Sequence, residues 1–254
     1  MATPRECTIS SLVSTRFDSR VRGPIAAHLL NRGANMGYRL ADHLSYCLVG
    51  DIPIFLDLQA DRYVCLSESA KMAFESLVES PAPSAAMAPV IERLEASGLL
   101  QYHKGETRLA AVTAQSVYSE ADLAGSRTSS QEILAAFGHV CSAELQYKKR
   151  SLLENIVGFQ ARKARAKPVH SAEAKVRSIA QAHRLIRRIV PSTDRCLQRS
   201  LALAGHLAAV GIPASLIFGV TLAPFSAHCW VQYGSMVLND RMDHVAQRSQ
   251  ILVI

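Results

Sequence analysis

Three side chains, far apart in the chain, have the types needed for nucleophilic catalysis. Cys196 opens an apolar run, RCLQRSLALAGHL (residues 195–207), that reads as a helix. With Asp194 expected as N-cap, the thiol falls in the first turn, where unpaired backbone N–H groups and the positive helix end favour an anion. A thiol placed there holds more of the reactive thiolate, and the same N–H groups can later hold the oxyanion of a tetrahedral intermediate. A base is available in His228, 32 residues on, in the strand-like segment HCWVQYG. Asp240 follows 12 residues later, at the end of the next strand-like segment, SMVLND, and a hairpin would return it to His228. Nucleophile, base and a carboxylate that orients the base make a complete set for acyl chemistry.

Each residue also has a plainer reading. Buried free cysteine is common packing material, and a histidine beside cysteine and tryptophan is often a core histidine. Asn239 or Asp243 could take the role given to Asp240. Cys229 adjoins His228, but on a strand its side chain points to the opposite face, so it reads as core. Arg199, one turn beyond the cysteine, either contacts substrate or braces the helix.

The elements that must position these groups follow from periodicity. Helical patterns run over residues 131–167 and 171–189, the second with Ala180, His183, Ile186 and Ile189 as its apolar stripe. Strands are expected at 214–220, 228–234 and 235–240. Residues 200–239 carry no Asp, Glu, Lys or Arg, yet Gly205, Gly211, Pro213, Gly219 and Pro224 cut them into pieces that suit a buried core rather than a membrane span.

Nearer the N-terminus, residues 46–67 alternate and are punctuated by turns, which predicts three short antiparallel strands. Ser67 then caps a helix with Ala70, Ala73, Phe74, Leu77 and Val78 on one face, and a second helix carries Val90, Ile91 and Leu94 and ends at Gly98. The fold class is therefore α+β. A small winged-helix-like module spans 38–105, a linker 106–130 and a second domain 131–254, with residues 1–37 expected as a flexible extension.

Composition narrows the setting. The chain has 254 residues, 49% hydrophobic and 19% charged, which describes a globular protein able to bury one large core or two modest ones. Its six cysteines show no paired or zinc-ligand spacing, so reduced thiols, no metal and a cytoplasmic location are expected. The net charge is +7, and between Lys148 and Arg188 twelve Lys or Arg face only Glu154 and Glu173. That face suits an acidic peptide or a protein partner. No nucleic-acid motif accompanies it, and no secretory signal is visible.

RCLQRSLAL, AHCWVQ and VLND together resemble the C-terminal domain of lasso-peptide B proteins, which are microcin-processing leader peptidases of the transglutaminase-like, papain-like cysteine protease superfamily. The Cys-Leu-x-Arg-Ser pattern is carried by Cys196, Leu197, Arg199 and Ser200, and His-x-Trp-Val by His228, Trp230 and Val231. Residues 46–100 are similar, more loosely, to the leader-recognition domains of ribosomally made peptide pathways.

The resemblance implies a bacterial cysteine peptidase that cleaves the leader–core amide of a lasso precursor. Cys196 would be the nucleophile, His228 the base and Asp240 its orienter. The leader would add as a strand beside Arg62, Tyr63, Val64, Cys65 and Leu66, with Val90, Ile91 and Leu94 supplying pockets. The partner would be an asparagine-synthetase-like cyclase. ATP would be used there and no cofactor by this chain, and neither nucleic acid nor membrane insertion is expected. An acyl transferase using the same triad, and a non-catalytic peptide-binding adaptor, stay open as alternatives.

Overall fold

The structure, a computed structural model, describes residues 9–12, 36–80, 85–123, 126–167, 173–189 and 195–254. The chain divides into two compact units, Thr8–Val112 and, in the main, Thr113–Ile254.

In the first unit, strand β1 (Ile9–Leu12) is followed by β2 (Met36–Leu40), β3 (Leu44–Val49), β4 (Ile52–Asp57) and β5 (Arg62–Leu66). Helices α1 (Glu68–Glu79) and α2 (Ala88–Ala96) come next, then β6 (Leu100–Lys104). The expected three-stranded meander is present at β3, β4 and β5. Gly50, at φ +60°, makes the first turn. The Asp57 carboxylate accepts from the Gln59 and Ala60 backbone N–H groups at 3.1 and 2.9 Å and closes the second.

Tyr46, Phe55 and Phe74 form the aromatic centre of this unit, with Phe74 edge-on to both other rings at 5.1 Å. Ile91, Leu94 and Leu77 close over it. Val78, expected on the inner stripe of α1, is exposed, because the buried face is set by Ala70, Ala73, Phe74 and Leu77. Tyr46 donates its hydroxyl to the Leu109 carbonyl at 2.9 Å, and Leu109 joins the core, so this unit extends past residue 105.

Two expectations change here. Met36 and Gly37, placed in the extension, belong to β2, which pairs antiparallel with β6. The β5 edge, read as open, carries β1 in parallel, Ile9 opposite Tyr63 through Leu12 opposite Leu66. An unpaired strand edge leaves a row of N–H and C=O groups without partners, and β1 supplies them. Residues 1–8 and 13–35, the rest of the expected extension, lie outside the described residues.

The second unit holds helices α3 (Ser130–Lys149), α4 (Leu152–Arg165), α5 (Glu173–Ile189) and α6 (Cys196–Ala209), and a short α7 (Met242–Ala246). The helical pattern over 131–167 is two helices, because Ser151 and Glu154 form a capping box. The Ser151 hydroxyl accepts from Glu154 N–H at 3.2 Å, and Ser151 N–H donates to the Glu154 carboxylate at 2.7 Å. Its sheet runs β11–β8–β9–β10–β7, from β7 (Ser119–Glu120), β8 (Ser215–Leu222), β9 (Phe225–Tyr233), β10 (Met236–Val237) and β11 (Ser249–Val253). β7 lies within the stretch read as a linker, and its pairing with β10 ties that stretch to the sheet.

Helix α6 is central, with Ser200 to Ala208 all buried. It packs against α3, α4, α5 and β9. The charge-free stretch is thus the core of this unit: desolvating a charge on α6 or β9 would cost several kcal/mol, on the order of what the fold has to spare. Ile189 points outward, 73% exposed, so the inner face of α5 ends at Ile186. No helix of the described residues is long and apolar enough to cross a membrane.

Candidate active site

Cys196 is the first residue of α6, as its position at the head of an apolar run predicts. Asp194 lies outside the described residues. Arg195 occupies the N-cap and makes no side-chain cap bond. That side chain offers no capping oxygen to the first turn, and the Leu197 N–H bonds the Cys196 thiol instead.

His228 lies in the middle of β9 and Asp240 just after β10. The turn between β9 and β10 brings the carboxylate back, and His228 Nε2 hydrogen-bonds Asp240 Oδ2. That leaves Nδ1 for Cys196, with which the imidazole also hydrogen-bonds. The other Asp240 oxygen accepts from Arg241 N–H at 2.7 Å and lies 3.4 Å from His244 Nδ1.

The electrostatics follow. Burial alone would push the Cys196 thiol up. The His228 hydrogen bond and charge, with backbone N–H groups of Cys229 and Leu197, outweigh burial and hold the thiol below its ordinary range. Burial likewise pushes His228 down, but hydrogen bonds to Asp240 and Cys196 and the charges on both raise it to about 9. For Asp240, too, burial is outweighed, by His228 first and then by Arg241 N–H, and its carboxyl stays below the usual range. Both shifts favour the thiolate–imidazolium pair over the neutral thiol and imidazole. The buried thiols behave oppositely: burial pushes Cys229 far up and Cys47 up to about 12. Cys229 is core, as its strand parity predicts.

Sequence reasoning missed the supports of this triad. Trp230, two residues along β9 from His228 and so on the same face, stacks beside its ring at 6.4 Å between centroids. Gln232 fixes the indole by accepting from Nε1 at 2.8 Å. Asn239, weighed only as a substitute for Asp240, accepts from Val231 N–H and donates to Ser200 Oγ, both at 2.9 Å. Ser200 stands in the Cys-Leu-x-Arg-Ser pattern, one turn after Cys196, and that position was the available signal.

The triad opens into a cavity of about 940 Å³ that Arg199 also lines. The other candidates belong to the first unit. Arg62 is exposed and pairs with Asp57 at 3.5 Å; Tyr63 and Val64 are buried; Cys65 and Leu66 are half-buried. Ile91 and Leu94 are fully buried core residues, which takes away the pockets expected of them, and Val90 is half-buried. Among the described residues, no group of three His, Cys, Asp or Glu is arranged to hold a metal ion.

No curated protein and no solved structure is significantly similar to the chain. Residues 139–253 match the family described as the transglutaminase-like superfamily, a span that contains Cys196, His228 and Asp240. The C-terminal part of this chain is therefore a transglutaminase-like superfamily domain, of a kind typically found in cysteine proteases and acyltransferases.

Proposed function

We propose that this chain is a cysteine peptidase that removes the leader from a lasso precursor peptide. The observation that carries the reading is the chain of contacts from Cys196, at a helix N-terminus, through His228 to Asp240. In this reading the Cys196 thiolate attacks the leader–core carbonyl and forms a C–S bond. First-turn N–H groups hold the oxyanion. The His228 imidazolium gives its proton to the departing core amine as the C–N bond breaks. Water, deprotonated by His228, then cleaves the thioester and frees the leader's carboxylate and the thiol. Asp240 holds the ring in the productive tautomer throughout.

The first unit binds the leader by strand addition at β5, in the position that Ile9–Leu12 occupies. Holding the leader on the same chain raises the local concentration of the scissile bond, so modest affinity suffices. The freed core passes to a partner cyclase that uses ATP.

Purified protein mixed with candidate lasso precursors tests this by mass spectrometry. Two fragments support peptidase action, whereas a crosslink points to acyl transfer. Cys196→Ala should abolish cleavage while leader binding survives, and cleavage at an unchanged rate by that variant would end the proposal.

A further inference from the structure

The cavity at Cys196 has one apolar wall and one cationic wall. Helix α3 supplies the first. Phe137, Cys141 and Leu145 recur every fourth residue and so form a stripe, and all three line the cavity. Phe137 and Leu145 are 46% and 57% exposed, two large apolar side chains open to the cavity on the helix that packs against α5 and α6.

The second wall comes from three different elements: Arg184, Arg187 and Arg188 on α5, Arg199 on α6, and Arg241 after β10. Complementing the dipole at the end of α5 accounts for Arg187 and Arg188 but not for arginines converging from α6 and from the Asp240 turn. Burial, and then the charges of Arg187 and Arg195, hold Arg199 below the ordinary guanidinium range, so these cations crowd one another.

The carboxylates that line the cavity are already engaged. Glu144 pairs with Arg195 at 2.9 Å, Asp240 with His228, and Glu120 accepts from Met242 N–H at 2.9 Å. Arg241 is taken by Asp243 at 2.7 Å. Among the described residues, Arg184, Arg187 and Arg188 have no carboxylate partner.

We infer that the groove selects a substrate segment carrying a carboxylate side chain and a large apolar side chain close to the bond that Cys196 attacks. The carboxylate lies against the α5 arginines and the apolar group against Phe137 and Leu145. This deepens the peptidase reading, which supplies the peptide, but the charge and shape preference of the groove is measurable without cleavage.

The test is alkylation of Cys196 by three reagents, iodoacetamide, iodoacetate and iodoacetanilide, followed site by site by peptide mapping. In each case the thiolate displaces iodide and forms one C–S bond, so the reagents differ only in charge and in the phenyl ring. The urea-unfolded chain gives the reference ratios. In the folded chain the iodoacetate/iodoacetamide ratio at Cys196 should exceed its reference by about threefold or more and fall towards it in high salt. In Arg184→Gln/Arg187→Gln the ratio should fall at low salt. His228 attracts the anion equally in both proteins, so the change isolates the arginines. In Phe137→Ala the iodoacetanilide/iodoacetamide ratio should drop.

Ratios equal to those of the unfolded chain, or unmoved by the arginine substitutions, overturn the inference. If a precursor is cleaved but the ratios are flat, the groove inference alone fails. If the ratios hold but no precursor is cleaved, the peptidase reading fails and an anion-selective thiol site remains.

Discussion

The Ser200 hydroxyl accepts a hydrogen bond from Asn239 Nδ2 and donates one to the Cys229 carbonyl, each at 2.9 Å. This buried oxygen therefore joins the helix that begins with Cys196, the strand that carries His228 and the turn that carries Asp240. Replacing Ser200 by Ala leaves a buried amide hydrogen and a buried carbonyl unpaired, at about 1–3 kcal/mol. The expected result is a folded protein of lower Tm whose Cys196 reacts with iodoacetamide at pH 6 at least about tenfold more slowly, because the triad is no longer held in register. Loss of Tm with full thiol reactivity would show that the serine only stabilises.

The same reagent reads the ion pair. Since the Cys196 pKa lies below the ordinary thiol value and that of His228 is raised to about 9, alkylation of Cys196 should extend to lower pH than that of the same thiol in the urea-unfolded chain. The rate should fall when the thiolate is protonated at lower pH. His228→Ala removes the main group that lowers the thiol, leaving burial opposed only by the Cys229 and Leu197 N–H groups, so the pH–rate curve should move to higher pH. A curve for the variant that overlays the wild type would refute the pairing.

The Cys196, His228 and Asp240 cluster is the most legible part of this chain, because an N-terminal helix cysteine, a strand histidine and a carboxylate one hairpin later are each local patterns. The three-stranded meander and its two helices were legible for the same reason. What was hidden depends on contacts distant in sequence. β7 is two residues long and exists by pairing with β10, over a hundred residues away. β1 likewise exists by pairing with β5, Ile9 lying opposite Tyr63. Ile91 and Leu94 have the spacing of a binding face or of a core face, and only the position of the Tyr46, Phe55 and Phe74 cluster decides for the core.

Gly219 bears on the site through Trp230. A Cβ at position 219 would stand 2.6 and 2.7 Å from two atoms of the indole ring, which Gln232 holds in place. Gly219→Ala should therefore cost about 1–3 kcal/mol by overpacking and push the ring that backs His228. As this is the chain's single tryptophan, a shift in its fluorescence emission reports the displacement directly. An unshifted spectrum together with an unchanged Tm would contradict the close approach.

His139, His183 and His206 meet between α3, α5 and α6. His139 and His206 stack at 4.5 Å, and His183 Nε2 lies 3.2 Å from His206 Nδ1. Burial, and then His206 and His139, push His183 down to about 3; burial, and then His139, push His206 down to about 4, with Glu132 pulling His206 up and Lys175 pulling it down. Burial and Arg162 lower His139. Because the unfolded chain binds these protons near pH 6.5 and the folded chain does not, stability is complete above about 6.5 and is lost as pH falls towards 4. His206→Gln removes one such group, so the Tm of the variant should fall less between pH 7 and pH 4.5 than that of the wild type. Parallel Tm–pH curves would mean that His206 takes up its proton without unfolding.

The β1–β5 pairing makes a prediction about leader binding that needs no knowledge of the leader. In a parallel edge strand, alternate residues turn their N–H groups to the neighbour and to solvent, so of Ser10 and Ser11 one N–H faces β5. Proline at that position removes a ladder donor and should loosen β1, whereas proline at the other should be tolerated. Hydrogen exchange at Tyr63–Leu66 should quicken in one of Ser10→Pro and Ser11→Pro and not in the other. A labelled peptide of residues 7–14 added in trans should bind that same variant more tightly than it binds the wild type, since the edge is then vacant. Equal binding to all three proteins would show that the edge is not contested and would end the proposed leader binding at β5.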